Sequence, residues 1–223
     1  MPQEIIDTLP QGQKQLIFDT LDETAVFEEH DIKNYRITED GEALEIEDVS
    51  PVTRAGIISR ADLTISVVGY AQTYNGYQTY AVFPSFDWSK RVDINNDSFA
   101  MALYPGWEVV PGASNCNMRV WIRNGAGETV QYHDISDPQS ASSNGYSFLI
   151  PNNVGTANGD YEGHAFLRGK KNSSSATHAI SLNYIHDNSS IFSASYSVGI
   201  GPGSISVSGN TNNLSYLSGN YTF

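Results

Sequence analysis

The sequence predicts an all-β fold, an antiparallel β-sandwich of about ten strands over residues 61–223, behind a small acidic helix-plus-hairpin leader and linker over residues 1–60. Two observations carry this reading. From Asp62 onward, apolar residues recur with period two between turn-forming residues, and most of the charge lies ahead of that point. Residues 1–50 hold fourteen acidic and three basic side chains, a net of −11, whereas residues 51–223 hold eleven and nine, a net of −2. Residues 188–223 contain no Asp, Glu, Lys, Arg or His, so any strand there owes its solubility to Ser, Asn, Thr and Gly.

In the leader, Thr8-Leu9-Pro10-Gln11 fits a capping box with Pro in the first turn. Leu16, Ile17, Leu21 and Ala25 then recur at helical spacing, which predicts a helix to about Glu29. Tyr35 and Ile37 alternate before Glu39-Asp40-Gly41-Glu42, and Leu44 and Ile46 after it, the pattern of a tight hairpin. A unit this small cannot bury a core of its own, so it must dock on the body or stay loose. Pro51, Gly56, Arg54 and Arg60 mark the linker, where trypsin is expected to cut first, and the leader reads as a pro-segment.

The body alternates through Leu63 to Val67, Tyr77 to Phe83, Phe99 to Leu103, Met118 to Ile122, Val130 to Tyr132 and Tyr146 to Ile150. Further candidates are Tyr161 to Leu167, Ile180 to Tyr184, Phe192 to Ile200, Ile205 to Val207 and a last strand from Leu214 to Phe223. Between Tyr216 and Leu217 the apolar parity slips, which predicts a β-bulge. No body segment has the period of a helix longer than about two turns.

Composition excludes some functions. Phosphate tracking needs clustered cations, and the densest cluster is Arg168, Lys170 and Lys171 in a chain of net charge −13, so nucleic acid is not an expected partner. Cys116 is the single cysteine, and no apolar run approaches the roughly 20 residues of a spanning helix. The Asn-, Ser-, Gly- and Tyr-rich surface predicts an exported bacterial protein, secreted or at the cell surface, with Met1 standing where a signal peptide has been removed.

Three groups of residues are candidates for binding. Asp93, Asn95 and Asp97 place oxygen side chains at alternate positions, either a Ca²⁺ loop or plain Asx turns; Ser98 and Tyr104 stand where an EF-hand needs Gly and Glu. Arg119, Trp121 and Arg123 share one face of a strand, either a platform for a sugar ring or a cation–π ladder covered by the leader. Tyr70, Tyr74, Tyr77 and Tyr80 surround Asn75-Gly76; Tyr74 and Tyr77 flank that turn as a binding loop would, and cross-strand pairing is the alternative.

Catalytic signals are thin. Cys116 has no local nucleophile signature, the acids of the body share no telling spacing, and His133-Asp134 and His186-Asp187 match no short zinc motif. Leu217 to Phe223 resembles the closing strand of outer-membrane barrels, which implies a membrane partner, yet the body's strands are shorter than the roughly 9–11 residues that barrels require. The expectation is therefore a non-enzymatic exported module that binds a cell surface, a glycan or cell wall, with no cofactor other than the Ca²⁺ of the Asp93 loop. One alternative is a membrane-active, pore-forming β-protein held inactive by its acidic segment. Another is a hydrolase with a loop-borne site.

Overall fold

The computed structural model describes residues 1–38, 42–46, 62–89, 97–124, 128–150, 161–187, 194–197, 206–209 and 214–223. Two helices, α1 (Gln3–Thr8) and α2 (Gln11–Thr20), precede strands β1 (Val26–Ile37), β2 (Ala43–Ile46), β3 (Leu63–Tyr74), β4 (Tyr77–Trp88), β5 (Asp97–Leu103), β6 (Trp107–Val109), β7 (Cys116–Arg123) and β8 (Thr129–Ile135). Then come β9 (Ser140–Ala141), β10 (Gly145–Ile150), β11 (Tyr161–Lys171), β12 (Ala179–Asp187), β13 (Ala194–Ser197), β14 (Ser206–Gly209) and β15 (Leu214–Thr222). One antiparallel sheet runs β2-β1-β3-β4-β11-β7-β8, with β6 added on β11, and a second runs β15-β12-β5-β10-β9. The all-β sandwich expected from the sequence is the fold.

Between the sheets lies a core of Phe86, Phe99, Met101, Phe148, Leu167, Leu182 and their neighbours. A second apolar cluster sits on the other face of the large sheet, where Leu9 and Ile17 cover Val68, Tyr70, Phe83 and Phe166. Strands β3, β4 and β11 are consequently buried on both faces, whereas β7, beyond the helices, keeps strict alternation. Burial of side chains such as Leu9 and Ile17 contributes on the order of 1.5–3 kcal/mol each.

The leader is woven into this arrangement. Along β3, β1 pairs from Val26↔Ala71 to Tyr35↔Leu63, and β2 follows in the predicted hairpin with Arg36↔Leu44. Contacts also reach the second sheet, since the Tyr35 hydroxyl meets that of Tyr221 at 2.8 Å and Asp31 accepts from the Thr222 amide at 3.0 Å. The boundary drawn at residue 60 thus does not divide the large sheet. The linker with Arg54 and Arg60 lies outside the described residues, as do the turns at 199–203 and 210–213.

Several local expectations are corrected. Thr8 does not cap α2: its hydroxyl donates to the Ile5 carbonyl at 2.8 Å inside α1, and α2 starts after Pro10, whose φ of −56° already suits a helix. The helix stops at Thr20 rather than near Glu29, because Asp22 accepts from the Thr24 amide and hydroxyl in an Asx turn. Aromatic and β-branched residues then continue as β1. The bulge expected at Tyr216 is absent: β15 pairs with β12 in one unbroken register from Leu214↔Asp187 to Thr222↔Ala179. Leu217, Tyr221 and Phe223 take the core face.

Candidate functional site

The β3–β4 hairpin ends in the two-residue turn its sequence requires. Asn75 and Gly76 both have positive φ, 51° and 79°, the conformation that matches the twist of the flanking strands and that Asn-Gly adopts with little strain. Tyr74 and Tyr77 are directly paired across the turn, and Tyr77 is 74% exposed. Tyr70 and Tyr80 leave the group: the first packs under the helices and the second in the core between the sheets. Of the four predicted tyrosines, only Tyr74 and Tyr77 stand at the surface together.

Beside the hairpin tip opens a cavity of about 420 Å³, lined by Tyr74, Tyr77, Gln78, Thr79, Lys170 and Lys171 with Asn75 and Val110. That volume falls within the range of roughly 300–1,000 Å³ of small-ligand sites. Arg168 does not line the cavity but lies against one of its walls: only 4% exposed, its guanidinium carbon is 4.1 Å from the Tyr74 ring centroid and 5.3 Å from that of Phe166. Arg168 donates from Nη1 to Gln72 Oε1 at 2.6 Å and from Nε to Asn115 Oδ1 at 3.1 Å. Burial holds its pKa below the usual guanidinium value, partly offset by Tyr74 and by Asp22 of the leader.

The two lysines differ. Lys171 Nζ lies 5.3 Å from the Tyr80 ring centroid and 5.4 Å from that of Trp107, whereas Lys170 Nζ stands 3.2 Å from Glu108 Oε2. Both belong to the basic run that the composition exposes, but nothing in the sequence places that run beside the Asn75-Gly76 turn. The neighbourhood arises because β11 pairs with both β4 and β6.

The second predicted platform has another character. Arg119 grips Asp134 with two nitrogens and lies 4.8 Å over the exposed Tyr132 ring, and the half-buried Trp121 is 6.1 Å from Tyr132. Arg123 bonds Glu162 at 3.0 Å, Asp87, and the Trp88 carbonyl at 2.9 Å. Burial pushes the Glu162 carboxyl up, but His164 and Arg123 outweigh it and hold the group low; for Asp87 burial wins and the pKa is raised. Both arginines therefore meet acidic partners along this strip.

Asp93 and Asn95 lie outside the described residues, while Asp97 is fully buried at the start of β5. Its carboxylate accepts from Tyr161 at 2.6 Å and from Tyr184, and faces His186 Nδ1 at 2.9 Å. Calcium shared with Asp93 and Asn95 would draw on a carboxylate that already serves three protein groups, and melting with and without EDTA measures whether it does. Among the described residues no group of three His, Cys, Asp or Glu is arranged to hold a metal ion. His133 pairs with Gln131, and Cys116 is buried, which pushes its thiol pKa far up and leaves it a poor nucleophile. The Asp97, Tyr161, Tyr184 and His186 cluster went unseen in the sequence because its members are up to 89 positions apart.

No family profile and no curated protein matches this chain. Among solved structures it is similar to AvmM, which catalyses macrocyclization in alchivemycin A biosynthesis, at 9% identity and a TM-score of 0.27 over 69% of this chain and 95% of that one. A superposition that loose carries no argument about fold or activity.

Proposed function

We propose that the protein is an exported, non-enzymatic β-sandwich module that binds carbohydrate at a cell surface, through the cavity at the Tyr74–Tyr77 hairpin tip. The observation that carries this reading is the exposed Tyr77 ring beside a concavity of small-ligand size whose other wall holds amide, hydroxyl and ammonium groups. A sugar ring offers an apolar face and a fringe of hydroxyls, so it needs a flat aromatic surface with hydrogen-bonding groups around it. Tyrosine supplies that surface at low entropy cost, and Arg168 holds Tyr74 from beneath.

Retention on insoluble cell-wall polysaccharide, measured for the full chain and for Tyr77→Ala, tests the proposal. Tyr77→Ala is expected to weaken retention about tenfold while changing stability by no more than an ordinary surface substitution does, about 0.5 kcal/mol. Retention of the unmodified chain no better than that of a non-binding control, or no effect of the substitution, would reject it.

One observation favours the membrane-active alternative. β13 and β14 pair with each other as a two-stranded sheet, in a register that sets Ser195 opposite Ser208, Ser197 opposite Ser206, and Tyr196 opposite Val207. In-phase alternation of this kind is what a hairpin needs to enter an oligomeric barrel. Release of calcein from liposomes supports this second reading, and intact vesicles at micromolar protein count against it.

A further inference from the structure

We infer that the ligand of the hairpin-tip cavity is an acidic glycan, a sugar polymer whose anionic substituent is held by Lys170 and Lys171. The inference rests on the carbohydrate reading of this cavity and adds the charge of what it binds. Only twelve of the 223 residues are Lys or Arg, against twenty-five Asp and Glu, yet three of the twelve fall within positions 168–171 at the end of β11. Among the described residues no carboxylate lines the cavity, although the chain carries a net charge of −13. A neutral sugar would gain little from this local reversal of sign, whereas an anionic one is drawn to a wall that carries ammonium groups and no lining carboxylate.

The three cations divide the work. Arg168 is committed to Gln72, Asn115 and the rings of Tyr74 and Phe166, so it contributes a fixed positive field rather than a ligand contact. Lys171 is held over Tyr80 and Trp107 and, among the described residues, bridges no carboxylate; cation–π contact leaves an ammonium able to bind an anion as well. The exposed Lys170 bridges the half-buried Glu108, a surface pair weak enough for a ligand's anion to compete with. Lysine suits such a task as a compact point charge that accepts carboxylate or phosphate alike. The shared chemistry is a monoanionic group on a saccharide chain, whether uronate carboxylate or phosphodiester.

The test compares polygalacturonate, a glycerol-phosphate polymer and neutral dextran as probes for the full-length chain, by calorimetry or equilibrium retention at low and high salt. At least one acidic polymer should bind about tenfold tighter than dextran at 50 mM NaCl, with the advantage collapsing near 0.5 M as screening removes it. Which polymer binds identifies the anionic group. The double variant Lys170→Gln, Lys171→Gln should bring acidic binding to the dextran level with an unchanged melting temperature, and Lys14→Gln in the leader should leave it intact. Equal affinity for acidic and neutral polymers, lost on Tyr77→Ala, overturns the acidic preference and leaves the carbohydrate reading standing. Loss of binding on Lys14→Gln as large as in the double variant overturns it as diffuse electrostatics. No binding of any polymer overturns both.

Discussion

Arg168 is buried against amide oxygens and ring faces, where a buried cation is more often met by a carboxylate. Removing it strands Gln72 and Asn115 and leaves a void beneath Tyr74. Arg168→Ala is therefore expected to lower stability by about 3 kcal/mol, read from urea denaturation, and to weaken ligand retention by freeing the Tyr74 ring. Cys116 gives a check of burial at another position. With its thiol pKa pushed well above the ordinary value by desolvation, a maleimide should label the native chain at pH 8 far more slowly than the chain in denaturant. Rapid native labelling would mean that the β7 end of the core opens readily.

At the scale of elements, α2 and β1 decide whether the leader is an appendage. Gly12 faces the sheet so closely that a Cβ there would stand 2.6 Å from the His164 ring and 2.9 Å from Glu162 Oε1. Alanine is ordinarily favoured over glycine inside a helix by about 1 kcal/mol, but Gly12→Ala should destabilise here, by roughly 1–3 kcal/mol, because a buried neighbour must move. A melt that rises instead would place α2 away from the sheet. For β1, cleavage by trypsin at Arg54 or Arg60 should not release the leader. Its register along β3 and the helical cluster beneath should keep residues 1–54 with the body through gel filtration under native conditions. Expressing residues 62–223 alone would expose the β3 edge together with Val68, Tyr70, Phe83 and Phe166, and aggregation is the expected result.

Over the whole molecule, phenols tie the layers together. Tyr161 and Tyr184 meet Asp97 in one end of the sandwich, and Tyr35 of the leader meets Tyr221 of the second sheet. Burial raises the pKa of Tyr161, Tyr184 and Tyr221 far above the usual value near 10, with Asp97 adding to the first two and Tyr35 to the third. The unfolded chain releases these protons from about pH 10 while the folded chain keeps them, so stability is full below that value and falls as pH rises past it. In a spectrophotometric titration these three tyrosines should stay silent until the far-ultraviolet circular dichroism collapses. Smooth ionisation of all thirteen with the fold intact would show that the cluster is open to water.

The all-β class, the acidic leader's hairpin, the Asn75-Gly76 turn and most strand positions follow from sequence alone, because period-two alternation and turn chemistry act over a few residues. Leu63, Ile65 and Val67 announce a strand with one buried face. They cannot announce that Ser66 and Val68 are buried too, since the layer over them is α2, some fifty positions earlier. The leader's membership in the sheet, the pairing of Arg119 and Arg123 with Asp134, Asp87 and Glu162, and the meeting of Tyr74 with Arg168, Lys170 and Lys171 are likewise decisions of tertiary structure. Strand pairing joins residues about a hundred positions apart through backbone hydrogen bonds that carry no side-chain signature. Composition shows that the cations exist, and only the order β3-β4-β11 puts them beside the tyrosines.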